Sequence, residues 1–257
     1  MSGPHLVKHE QFFSRYLRNR RDIIVYLPPG YEQQDAGHFP VLYMQDGQNL
    51  FDGETSFIRG MDWHVGQTAD ELIRAGRVEP VIIVGVYNTG KSRIREYTPT
   101  RAPKLGGGGA NRYGKFLLKE LIPFVRAAYR VDSAPESSGI AGSSLGGLLS
   151  LYLGLKMARV FGKVAALSPS VWWNQRIMLR FAAKANADPR PRVWLDIGTR
   201  EGPRIVDDIE KFRDVLLQKG WRIGYDLHYE RVEGAEHNEA AWAQRVGPFL
   251  EFLFPAK

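Results

Sequence analysis

The chain has 257 residues, 44% of them hydrophobic, which is enough for one large domain (residues 1–257) with a well-buried core. It contains no cysteine, so disulfides, a thiolate nucleophile and thiolate metal ligands are excluded. The formal charge of +7 favours anionic partners, but the cations are scattered and no nucleic-acid motif occurs, so no nucleic acid is expected to bind. No apolar run has the length of a secretion signal or a membrane span. The expectation is a soluble, cytoplasmic protein, monomer or homo-oligomer, with no membrane partner.

Residues 22–26 (Asp-Ile-Ile-Val-Tyr) form a β-branched apolar run, stopped by Pro28, Pro29 and Gly30. Residues 40–44 make a second run, which breaks at Asp46-Gly47, and residues 81–87 a third. Continuous apolar runs of this kind suit strands buried on both faces. Helical spacing is seen over 63–75 and over 113–129, where Pro123 predicts a kink. Residues 88–112 are rich in Arg, Pro and Gly and predict a long loop bordering the substrate site. Residues 139–141 lead as a strand into a sharp turn and then the apolar helix 148–157. Strands are expected at 164–167, 192–197 and 223–232, and helices at 206–219 and 240–254. Strand–helix alternation predicts an α/β fold with a mostly parallel sheet and helices on both faces.

Gly142-Ser143-Ser144-Leu145-Gly146 matches the G-x-S-x-G nucleophile elbow, and an apolar strand before it and an apolar helix after it supply the context the motif requires. A side chain at either glycine would collide with the neighbouring strand or helix. The N–H of Leu145, at the helix start, is placed to hydrogen-bond an oxyanion. A serine needs a base. Six histidines are present. His5 and His9 fall in a terminus expected to fray, His38 in a polar turn and His228 inside a strand pattern, where a structural role is expected. His64 begins a helix beside Trp63 and is placed to line a pocket. His237 lies in a loop between the last strand and the last helix, which is where this chemistry takes its base in the chain order Ser, acid, His. The acid should follow the strand at 192–197. Glu201 stands just past its end and is the preferred residue; Asp196, inside the strand, is the competitor. The turn Asp46-Gly47-Gln48 follows an early strand, so the Gln48 N–H is a candidate second oxyanion donor, with a plain turn as the alternative.

The segments Arg21-Asp-Ile-Ile-Val-Tyr-Leu-Pro-Pro-Gly-Tyr, Tyr43-Met-Gln-Asp-Gly-Gln, Gly142-Ser-Ser-Leu-Gly-Gly, Leu167-Ser-Pro-Ser-Val-Trp-Trp, Gly198-Thr-Arg-Glu and Glu236-His-Asn-Glu-Ala-Ala-Trp carry a resemblance over most of the chain. Together they resemble the esterase family of α/β-hydrolases that includes enterochelin esterases, esterase D, bacterial feruloyl esterases and mycolyltransferases. The resemblance implies an α/β-hydrolase fold, a serine esterase of small-molecule esters, no metal or organic cofactor, Gln48 as oxyanion donor and Glu201 as acid. It also implies that Trp172 and Trp173 line an acyl pocket, against the alternative that at least one of them packs in the core. Small acyl or feruloyl-type esters, a siderophore trilactone, and acyl transfer to an acceptor other than water all remain open, as does a catalytically silent binding member of the fold. Arg93 and Arg101, in the 88–112 loop, would draw anionic esters if they face the pocket.

Overall fold

The computed structural model describes residues 4–33 and 37–256. Met1–Gly3, the start of the segment read for a secretion signal, lie outside the described residues. The strands are β1 (His5–Ser14), β2 (Asn19–Leu27), β3 (Val41–Gln45), β4 (Ile82–Val86), the two-residue β5 (Arg101–Ala102) and β6 (Gly106–Gly107), β7 (Ser138–Ser143), β8 (Lys163–Leu167), β9 (Arg192–Gly198) and β10 (Leu227–Val232). The α-helices are α1 (Val65–Arg74), α2 (Arg93–Tyr97), α3 (Ala110–Phe116), α4 (Ile122–Ala128), α5 (Ser144–Lys156), α6 (Trp173–Lys184), α7 (Pro203–Gln218), α8 (Glu239–Ala243) and α9 (Val246–Leu253). Among the described residues no helix is long and apolar enough to cross a membrane.

Eight strands form one sheet in the order β1-β2-β4-β3-β7-β8-β9-β10. β1 and β2 pair antiparallel, β2 pairs antiparallel with β4, and every other neighbouring pair is parallel. Side chains alternate between two apolar layers. Val41 and Tyr43 of β3 enter one core, and Leu42 and Met44 enter the other. This two-sided burial explains why the central strands read as unbroken apolar runs. The strand order reverses between β3 and β7, and such a switch point opens a crevice at the carboxyl ends of the strands. The turn at Asp46 and the turn at Ser144 both leave the sheet there.

The structure corrects several expectations. His5 and His9 do not fray: both belong to β1, whose mixed exposure on the sheet edge hides it from an apolar-run reading, and His9 Nε2 lies 2.6 Å from the Tyr129 hydroxyl. The expected helix over 113–129 carries a π-turn at Leu117–Leu121, just before Pro123. Proline offers no N–H to the ladder and crowds the carbonyl four residues back, which accounts for the shifted bonding. The last helix is divided into α8 and α9. The helix α6 was not expected from the sequence.

The 88–112 segment is no bare loop, since it holds α2 and the β5–β6 pair. It is anchored from within. Arg21 of β2 donates to Glu96 across 2.8 Å, both side chains being essentially inaccessible, and Asn19 Nδ2 donates to the other Glu96 oxygen at 2.7 Å. Removing one partner of such a pair strands a charge in the interior. Glu96→Ala should therefore lower stability by about 3–5 kcal/mol, measured by urea unfolding.

Candidate active site

Ser144 links β7 to α5 and has φ 54°, a left-handed conformation uncommon for a residue with a side chain. The backbone must turn this tightly to lift Oγ above the sheet edge. The flanking glycines permit it: a Cβ on Gly142 would come within 2.8 Å of the Gly146 carbonyl carbon, and one on Gly146 within 3.1 Å of an Asp46 carboxyl oxygen. The elbow is thus packed directly on the β3 turn. Ser144 Oγ lies 3.0 Å from His237 Nε2, and His237 Nδ1 lies 2.6 Å from Glu201 Oε2. The three residues arrive from the ends of β7, β10 and β9. His237 is partly exposed, whereas the Glu201 side chain is only 1% exposed.

Glu201 is held from below. Its Oε1 accepts from the Gly198 N–H at 2.9 Å and from the Ser168 hydroxyl at 2.5 Å. The Ser168 hydroxyl in turn accepts from Trp242 Nε1 at 3.2 Å and Arg245 Nη1 at 2.9 Å. Arg245 Nη1 also donates to Asp196 Oδ1 at 2.7 Å, and Trp194 Nε1 donates to Asp196 Oδ2 at 2.7 Å. Asp196, the competing acid, is fully buried in this network, where its carboxylate accepts from the Ser168 N–H, Trp194 and Arg245. Sequence reasoning missed Ser168, Trp242 and Arg245, because no local pattern joins positions so far apart in the chain. Burial alone would raise the Glu201 carboxyl, but the hydrogen bonds from His237, Ser168 and Gly198 outweigh it and hold the group below its ordinary value.

The Asp46 turn is also held. Gln48 is the middle residue of a 3₁₀ turn (Gly47–Asn49), and Leu145 is the second residue of α5. Amides in a first helical turn lack intrahelical acceptors, so both are free by position to bond an anion. Asp46 itself has φ 57°. Its carboxylate takes two bonds from Arg93, each 2.8 Å, and one from Asn88 Nδ2 at 2.7 Å. The Gln48 side-chain oxygen accepts the Asn88 N–H at 3.2 Å.

A cavity of about 700 Å³ opens over these groups. Ser144, His237, Gln48, Asp46, Asn88, Arg93 and Glu239 supply polar lining, and Phe57, Ile58, Tyr87 and Trp242 an apolar wall. Trp172 and Trp173 do not line it. Trp173 is buried and donates from Nε1 to the Thr100 carbonyl, while Trp172 stands part-exposed elsewhere. Arg101 is exposed on β5 and is likewise outside the lining. Arg93 does reach the cavity, but paired to Asp46. His64 is exposed beside Asp62, and His228 stacks on Trp194 at 3.9 Å between ring centroids, as a structural histidine.

The family profile described as "Putative esterase" matches residues 14–251. The chain belongs to this esterase family. It is 29% identical over 254 residues to a Bacillus subtilis protein, "Uncharacterized protein YbbA", covering 94% of this chain and 95% of the relative. It is 26% identical over 255 residues to an endo-1,4-beta-xylanase/feruloyl esterase of Xylanibacter ruminicola, covering 96% of this chain but 31% of that longer protein. Among solved structures, an IroE-like serine hydrolase from Shewanella oneidensis superposes with a TM-score of 0.78 at 23% identity, covering 98% of this chain and 80% of that one. This likeness shows the α/β-hydrolase fold.

Two outcomes follow for this esterase-family site. Arg245→Met leaves Asp196 without its cation in the interior, and should cost about 3–5 kcal/mol of stability in denaturant unfolding. Because the folded Glu201 carboxyl is depressed, its bonds stabilise the fold fully above the unfolded-state value, about 4.3, and that contribution is lost as pH falls through the lower folded value. Glu201→Gln should therefore be less stable than the parent at neutral pH, with the gap closing as acid is added in a thermal-melt series.

Proposed function

We propose that the protein hydrolyses carboxylic esters through an acyl-enzyme, with Ser144 as nucleophile. The observation that carries this reading is the chain of contacts from Ser144 Oγ to His237 Nε2, 3.0 Å, and from His237 Nδ1 to Glu201 Oε2, 2.6 Å. With Glu201 ionised, Nδ1 carries the imidazole proton and Nε2 is free to accept the serine proton. Ser144 Oγ then attacks the ester carbonyl. The carbonyl oxygen becomes an oxyanion held by the N–H groups of Gln48 and Leu145. The tetrahedral intermediate collapses, His237 returns its proton to the leaving alcohol, and the acyl group stays on Ser144. Water, deprotonated by the same imidazole, attacks the acyl-enzyme and releases the acid. Arg93 and Asn88 act as positioning residues, since they fix Asp46 and with it the turn that presents the Gln48 amide.

The acyl group is read as small or aromatic, of feruloyl type. Support comes from the apolar wall of Phe57, Ile58, Tyr87 and Trp242 beside Ser144, and from the relative named endo-1,4-beta-xylanase/feruloyl esterase. Electrostatic capture of an anionic or catecholate ester has weaker support, because Arg93, the one arginine lining the cavity among the described residues, is neutralised by Asp46.

Labelling with a fluorophosphonate probe tests the reading. The parent protein should label at Ser144, while Ser144→Ala and His237→Ala should lose ester hydrolysis by about five to six orders of magnitude and stay folded. A parent protein that neither labels nor turns over short acyl or feruloyl esters would instead be a binding member of the fold.

A further inference from the structure

Glu239 begins α8, two residues after His237, and lines the cavity that holds Ser144. It is 6% exposed. The hydrolytic cycle gives it no task, and among the described residues its carboxyl hydrogen-bonds no other side chain. A buried carboxyl without such a partner is costly unless something else satisfies it. At the helix terminus its carboxyl accepts its own backbone N–H, but α8 has only five residues and Asn238 already caps it by accepting the Ala241 N–H at 2.9 Å. On the same cavity wall, Arg93 spends Nε and Nη2 on Asp46, which leaves Nη1 with no protein acceptor among the described residues. The cavity therefore presents, together, a carboxyl with no side-chain partner and an unused donor.

We infer that Glu239, with Arg93, forms a subsite for a free hydroxyl on the alcohol half of the ester. A hydroxyl can both donate, to Glu239, and accept, from Arg93, through a single oxygen. An added anion would meet the carboxylates of Glu239 and Asp46, and an ammonium group would meet the Arg93 guanidinium. The alcohol half is indicated because Glu239 sits beside His237, the residue that hands its proton to the leaving oxygen. Burial pushes the Glu239 carboxyl above its ordinary value and nearby Asp46 adds to this, while the hydrogen bond from its own backbone N–H, His237 and Arg93 oppose it. Either protonation state of the carboxyl can accept the hydroxyl proton.

This inference rests on the hydrolase reading for the identity of the ligand, so binding and turnover are measured separately. Glycerol monobutyrate and propyl butyrate share an acyl group and differ in the free hydroxyls. In the Ser144→Ala protein, NMR titration should show the glycerol ester bound about tenfold more tightly, the size of one hydrogen bond to a charged group. Adding Glu239→Ala should bring the ratio near one, and Glu239→Gln, which keeps the side chain's length and shape, should fall between. With Ser144 present, the ratio of kcat/KM for the two esters should follow the same order. Equal binding of both esters, or a preference that survives both Glu239 variants in folded protein, overturns the subsite whatever the turnover. A Glu239-dependent binding preference without any hydrolysis would uphold the subsite and overturn the proposed activity instead.

Discussion

The contact between two tight turns governs the rest of this site. The elbow at Ser144 and the turn at Asp46 leave adjacent parallel strands, β7 and β3, and touch where Gly146 faces the Asp46 carboxylate. A Cβ at Gly146 would stand 3.1 Å from that carboxylate and from Gln45 Cβ, tighter than an ordinary contact. The two candidate oxyanion amides, of Leu145 and Gln48, belong to these two turns, so their spacing is inherited from strand pairing, with the Asp46 turn held further by Arg93 and Asn88. Donors held by a rigid sheet need little reorganisation when charge develops between them.

A second layer of charge lies under the first. Glu201 is nearly inaccessible and would be expensive to ionise without partners. Ser168 donates its hydroxyl hydrogen bond to it and itself accepts from Arg245 and Trp242, while Asp196 balances the arginine. The carboxylate that faces His237 is thus the end of a buried chain that reaches α9 through Arg245. This division of labour explains why two acids so near in sequence have different surroundings. Asp196 points from β9 into the interior, and Glu201 stands one turn past that strand's end, where the imidazole is.

The basic segment after β4 behaves in the same way. Its one cavity-lining arginine is committed to Asp46, and its buried glutamate to Arg21. Lys91, Arg95, Arg101, Lys104 and Arg112 remain exposed. The segment's order comes from ion pairs with the sheet, and its contribution to the site is the shape of the Asp46 turn more than a field of positive charge.

Much of this was legible along the chain. Apolar runs located the central strands because burial on both faces demands apolar side chains at every position, and the elbow was legible because its geometry needs glycines at fixed offsets from one serine. Ser144, Glu201 and His237 could be chosen by their places after successive strands. What the sequence could not disclose depends on contacts between residues distant in the chain. The edge strand β1 carries no apolar run, since one side of it meets water. Ser168 and Arg245 meet Glu201 only because β8, β9 and the approach to α9 converge at one end of the sheet. Trp173 turns into the core while its neighbour Trp172 does not, a choice made by the packing of α6 against the Thr100 backbone. Local pattern determined the central strands, the elbow and the order of Ser144, Glu201 and His237; tertiary packing alone decided which charges are paired and which remain to face the cavity, because a charge is neutralised by its neighbours in space.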